Sequence, residues 1–162
     1  MAATPPSASP LFLRESEVRR GIELLYFGYS NLTRAADQGL AAQGLGRAHH
    51  RVLYFVARQP DLTVSQLLGL LAITKQSLGR VLTELADRQL VEVRTGDRDR
   101  RQRLLRLTPA GRALEADLFD RLRTKLSAAY TSAGQNAVGG FWSVLEGLIP
   151  DDDKTRLAGL KD

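Results

Sequence analysis

No cysteine occurs in this chain of 162 residues, which excludes disulfides, thiolate metal sites and cysteine-based redox sensing. Histidine is nearly as scarce, for only His49 and His50 are present and they are adjacent. Neighbours on a helix point about 100° apart, so this pair cannot share a metal as an i, i+4 pair does, and no other ligand completes a site. A structural or hydrogen-bonding role is expected for them, with a ligand pocket or a DNA phosphate as the alternative. There is no glycine-rich phosphate loop and no pair of carboxylates on one predicted face. No catalytic constellation, metal site or cofactor is therefore expected. No stretch is apolar for long enough to span a bilayer. The first ten residues, MAATPPSASP, carry three prolines without a basic start or an apolar run. They read as part of a flexible tail over residues 1–13, and the expected location is cytoplasmic.

What is present suits one soluble domain with a real core, with 43% hydrophobic and 25% charged residues. Of the 23 basic residues, 19 are arginine. That excess suits phosphate recognition, although a compositional bias of the genome would produce it too. The net charge of +5 is concentrated: residues 75 to 106 hold nine basic and five acidic side chains, a net of +4.

The charged segment lies inside the stretch that organises the chain, Thr63 to Gly111. Thr63-Val64-Ser65-Gln66 has the form of a capping box and is followed by Leu67, Leu68, Leu70 and Leu71. Ala72-Ile73 makes a very short turn into Thr74, a predicted N-cap. In the next helix Leu78, Val81, Leu82 and Leu85 share one face at i, i+3, i+4 and i+7. Lys75, Gln76, Gly79, Arg80 and Thr83 take the opposite face, offering groups suited to base edges and phosphates. An ordinary solvated helix face has the same composition, and only the neighbouring elements distinguish the two. Two strand-like segments follow, residues 90–94 and 103–107, around a turn at Gly96. Arg94, Arg98, Arg100, Arg101, Arg103 and Arg106 cluster there against Asp97 and Asp99, which suits phosphate contact or minor-groove insertion. A solvated hairpin with internal Arg–Asp pairs is the plainer alternative. Thr108-Pro109 then reads as an N-cap and a proline at N1.

This order describes a winged helix-turn-helix. It resembles the MarR family of bacterial transcriptional regulators in Ile73-Thr74-Lys75-Gln76-Ser77-Leu78, in Asp97-Arg98-Asp99-Arg100-Arg101 and in Leu107-Thr108-Pro109-Ala110-Gly111. Ala48-His49-His50-Arg51-Val52-Leu53, taken with residues 74–78, is similar to the PetP-type subgroup. The resemblance implies that Thr74 to Arg88 is a recognition helix contacting DNA through Thr74, Lys75, Gln76, Ser77 and Arg80. It implies wing contacts by Arg98, Arg100 and Arg101, with Arg101 in the minor groove and Asp99 orienting its guanidinium. Two positions depart from the family pattern. Gln89 stands where a left-handed glycine is common, and Gly79 lies within the helix at a cost of about 1 kcal/mol.

Outside this module, residues 14–46 predict a long helix whose Val18, Ile22, Leu25, Tyr29, Leu32 and Ala36 form a heptad-like seam. Residues 47–108 form the winged-helix segment, beginning with a helix over 47–58. Residues 109–150 predict two more helices, broken at Ala133-Gly134 and ending before Pro150, and 151–162 reads as a tail. The last helix carries Val138, Phe141, Trp142, Leu145, Leu148 and Ile149, too much apolar surface for a monomer to expose. The expected architecture is thus mainly α with a small β-wing, the DNA-binding domain being flanked by dimerisation helices from both termini. The resemblance further implies a homodimeric repressor on a near-palindromic operator of double-stranded DNA. It also implies release by a small aromatic or phenolic effector, whose identity is unreadable. By rough position Tyr26, Tyr29, His49 and His50 could line its cleft, although core packing explains the tyrosines equally well. The rival readings are a DNA-packaging protein without sequence preference and a winged helix used for protein contacts alone.

Overall fold

The structure is a computed structural model that describes residues 13–96 and 99–160. The tail expected over residues 1–13 lies, Leu13 apart, outside the described residues, as do the wing positions Asp97 and Arg98. Helix α1, Glu15–Ala42, ends where Gly44 takes φ +64°. There the Leu45 N–H donates to the Leu40 carbonyl at 2.9 Å and the Gly44 N–H to Ala41 at 2.9 Å. This paired closure suits a glycine past the helix end and buries Leu40 and Leu45 together. Helix α2, Arg47–Arg58, follows at once, burying Val52, Leu53 and Val56.

Strand β1, Leu62–Thr63, leads into α3, Val64–Leu71. The expected capping box is formed: Thr63 Oγ1 accepts from Gln66 N at 3.1 Å, and Thr63 N donates to Gln66 Oε1 at 2.9 Å. Ala72, left-handed at φ 49°, turns the chain into α4, Lys75–Asp87. Strands β2, Val91–Thr95, and β3, Arg103–Leu107, form the wing. The sheet has three antiparallel strands in the order β1-β3-β2, with Leu105 opposite both Leu62 and Val93. β1 is a strand that the sequence pattern did not announce, because two residues show no alternation. The alternation that is visible in β2 stops short of the core: Val91 is buried, but Val93 is exposed where the wing leaves the body.

Helix α5, Pro109–Ala133, is capped by Thr108, whose hydroxyl accepts from Gly111 N at 3.0 Å. Helix α6, Gln135–Leu148, begins after Gly134. Residues 151–162, expected as a tail, instead contain α7, Asp151–Ala158. Asp151, Asp152 and Asp153 occupy its first turn, where carboxylates favour the positive end of the helix dipole. The acidic run therefore starts a helix, in addition to following one.

The core lies where α1, α2 and α5 meet the helix-turn-helix, around Ala36, Leu40, Leu53, Leu67, Leu78, Leu85, Leu105 and Leu118. Away from it the seam of α1 is bare: Val18, Ile22 and Tyr29 are exposed, and so are Phe27, Phe141, Trp142 and Leu148. No described helix is long and apolar enough to cross a membrane.

Candidate nucleic-acid interface

Leu78, Val81, Leu82 and Leu85 are all buried, so burial of this face determines what α4 shows to solvent. Lys75, Gln76, Ser77, Gly79, Arg80 and Thr83 are exposed. Thr74 is used by the helix itself: its Oγ1 accepts from Ser77 N at 3.1 Å and donates to Ser77 Oγ at 2.8 Å. Ser77 keeps its own hydroxyl proton free to donate outward, whereas Thr74 acts first as the cap. Thr83 also turns inward, donating to the Gly79 carbonyl at 2.9 Å.

The C-terminal end of α4 bears on the first departure from the family pattern. Gln89 is left-handed at φ 56°. Its N–H donates to Ala86 at 2.9 Å, and the Leu90 N–H donates to Leu85 at 2.9 Å. A glutamine thus holds the position that favours glycine, and the buried Leu85–Leu90 contact closes the motif around it.

The wing turn is built by backbone contacts. Gly96 N donates to the Gln102 carbonyl at 3.0 Å, and Gln102 N to Asp99 at 3.0 Å. A Cβ on Gly96 would stand 2.8 Å from the Asp99 carbonyl oxygen, so only glycine fits. Asp99 Oδ1 accepts from the backbone N–H of Arg101 at 2.9 Å. The Asp99 carboxylate thus shapes the turn that presents Arg101, and among the described residues it forms no ion pair with the Arg101 guanidinium.

The arginines of the wing divide into two sets. Arg94 pairs with Glu92 at 3.3 Å, and Arg106 pairs with Asp61 across the sheet. Among the described residues, Lys75, Arg80, Arg100, Arg101 and Arg103 form no salt bridge. Arg98 lies outside the described residues and Arg100 and Arg101 are exposed on the turn.

Behind α4 the structure adds polar contacts absent from the sequence reading. His49 bonds Glu84 at 2.7 Å, and Arg88 donates to the carbonyls of Gln43 and Gly44. The signal available beforehand was weak: a histidine three residues after Gly46, and a lone glutamate beside a basic face. His50 is buried, its Nε2 without a hydrogen-bond partner among the described residues. Tyr26 and Tyr29 are exposed, so packing within the chain does not account for them. Neither tyrosine lines the cleft of about 410 Å³ between α3 and α7 or that of about 570 Å³ between α2, β3 and α5.

The MarR family model matches residues 43–102. Across 158 residues the chain is 44% identical to the HTH-type transcriptional regulator PetP of Rhodobacter capsulatus, covering 98% of this chain and 95% of that protein. The chain belongs to the MarR family. Members of this family are helix-turn-helix transcriptional regulators, and the fold agrees with solved members. A mutant E. coli MarR complexed with operator DNA superposes with a TM-score of 0.67 at 20% identity, covering 88% of this chain and 100% of that one. Bordetella bronchiseptica BpsR, whose DNA binding is regulated by 6-hydroxynicotinic acid, superposes at 0.63 with 22% identity, covering 80% and 98%.

Proposed function

We propose that this MarR family regulator is a cytoplasmic homodimeric repressor of a near-palindromic operator, reading it with α4 and the wing. The observation that carries this reading is the set of exposed cations that form no salt bridge among the described residues. Lys75 and Arg80 on α4, and Arg100, Arg101 and Arg103 on the wing, stand exposed beside a core that consumes the opposite face of the helix. Lys75, Gln76, Ser77 and Arg80 make the base and phosphate contacts in the major groove, with Thr74 fixing the helix start against the backbone. Arg98, Arg100 and Arg101 contact the wing's side of the duplex, Arg101 entering the minor groove.

The operator complex of the E. coli relative supports this docking. The bare apolar faces of α1 and α6 support a second chain, which would set two recognition helices roughly 34 Å apart. Regulation by 6-hydroxynicotinic acid in the Bordetella relative supports a small aromatic effector here.

The test is fluorescence anisotropy on DNA from the gene's own upstream region and on an unrelated duplex of equal length, each at two salt concentrations. Preference for its own DNA at two chains per duplex is expected. Equal, steeply salt-dependent binding to both would instead indicate packaging, and no binding to either would indicate a protein-contact module. Arg101→Ala should weaken binding by about tenfold or more and lower the salt slope by roughly one unit per wing. Unchanged affinity and slope would remove the wing from the contact surface.

A further inference from the structure

The corner between α1 and α2 holds the recognition helix by directed polar contacts as well as by the core. Gly46 N–H donates to His49 Nδ1 at 3.1 Å, so that nitrogen carries the lone pair and the ring proton sits on Nε2. Nε2–H then donates to Glu84 Oε2, on α4, at 2.7 Å. At the C-cap of α4, Arg88 donates to the carbonyls of Gln43 and Gly44 in the same corner. The corner is tied to α1 by the two-pronged Arg47–Asp37 pair at 3.0 and 2.8 Å. A continuous polar path therefore runs from α1, through the first turn of α2, to the last turn of α4.

Resting on the operator-binding reading above, we propose that His49 and Glu84 are positioning residues for sequence recognition. Their hydrogen bond sets the rotation of α4 about its own axis and so aims Lys75, Gln76 and Arg80 at the base edges. Burial of Leu78, Val81, Leu82 and Leu85 decides which face points inward, but apolar packing is weakly directional. A charge-assisted bond is short and directional. With side chains reaching about 5–6 Å from the helix axis, a 10° rotation moves their tips by about 1 Å, enough to spoil a bidentate base contact.

Glu84 makes the proposal easy to separate from simple electrostatics. An anion beside the DNA-facing surface repels phosphate, so its removal alone would tighten binding to any duplex. A positioning role predicts the opposite sign, and only for the preferred sequence.

The measurement uses the duplex that the full-length wild type selects from a random pool, with an unrelated duplex as reference. If the wild type selects no sequence, the operator-binding reading has failed before any variant is made, and the positioning role falls with it. Given a selected duplex, His49→Ala and Glu84→Ala should each lower affinity for it about tenfold without weakening binding to the unrelated one. The salt slope should stay unchanged, because no phosphate contact is lost. The double variant should be no worse than either single one, since both remove the same bond. Glu84→Gln keeps an acceptor for the His49 N–H and should retain most of the preference. Nitrogen NMR of His49 in the free protein should show a neutral ring protonated on Nε2, with signals that shift in Glu84→Ala. The proposal is overturned if Glu84→Ala and Glu84→Gln both tighten binding equally to the two duplexes. It is equally overturned if His49→Ala keeps full preference, or if the ring carries its proton on Nδ1.

Discussion

His49 and His50 are adjacent on α2, yet the turn of the helix between them puts the two rings in different environments. His49 lies between the Gly46 N–H and Glu84, both polar partners. His50 is buried with its Nε2 unsatisfied, and burial pushes its pKa below the ordinary value of 6.5 while the Asp37 carboxylate only partly opposes this. Because the folded pKa is depressed, the unfolded chain takes up the proton first as pH falls. The stabilising contribution of neutral His50 is present above about pH 6.5 and is lost as pH drops through the folded value. Glu115 titrates in the opposite sense: burial raises its carboxyl pKa, so its contribution is lost as pH rises. His50→Leu should therefore flatten the fall in Tm between pH 7 and 5 relative to the wild type, and should be no less stable at pH 7. An unchanged pH slope in thermal melts would show that His50 does not titrate with unfolding. Both histidines were legible as structural from their spacing, but which of them was buried was not. That depended on which side of α2 meets the core.

At the level of the element, helix ends and glycines carry most of the specification. The caps Thr63, Thr74 and Thr108 each bond three residues ahead, a range at which sequence alone is informative. Gly111 is different, because its need comes from another element. A Cβ there would stand 1.9 Å from the Leu90 carbonyl oxygen. Gly111→Ala should accordingly force α5 away from the start of β2 and cost roughly 2 kcal/mol or more in chemical denaturation. Gly79 is the reverse case, with nothing within 4 Å of its added Cβ on the protein side. Gly79→Ala should raise stability by about 1 kcal/mol. If the backbone of α4 approaches DNA at this turn, the same variant will bind operator more weakly despite melting higher. Equal or tighter binding would place the DNA backbone elsewhere along the helix.

For the whole molecule, the imbalance of apolar exposure is the dominant feature. The winged-helix lobe packs around a core completed by Ala36 and Leu40 of α1 and Leu118 of α5, while α1 and α6 present Val18, Ile22, Phe27, Phe141, Trp142 and Leu148 to solvent in the single chain. A second copy is the occupant proposed for that surface. Ile22→Asp costs the isolated chain little, because Ile22 is 62% exposed. In sedimentation it should convert dimer to monomer with helicity retained by circular dichroism, and operator affinity should fall as half-sites are engaged singly. A wild type that sediments as a monomer would refute the dimer directly.

The amino-acid order alone specified the features whose partners lie within a turn or two of one another. These are the capping box at Thr63, the buried stripe of α4 and the arginine-rich hairpin. Such features leave periodic or fixed-offset marks, because helix geometry repeats every 3.6 residues. Contacts between distant segments leave no such mark. Leu62 pairing with Leu105, Arg106 reaching Asp61 and His49 bonding Glu84 each depend on how the elements are brought together. Tertiary packing also placed the helix over residues 151–158 against α3, Arg156 donating to the Gly69 carbonyl at 3.4 Å. In each case a hydrogen bond or ion pair forms only after the core has placed two remote backbones within reach.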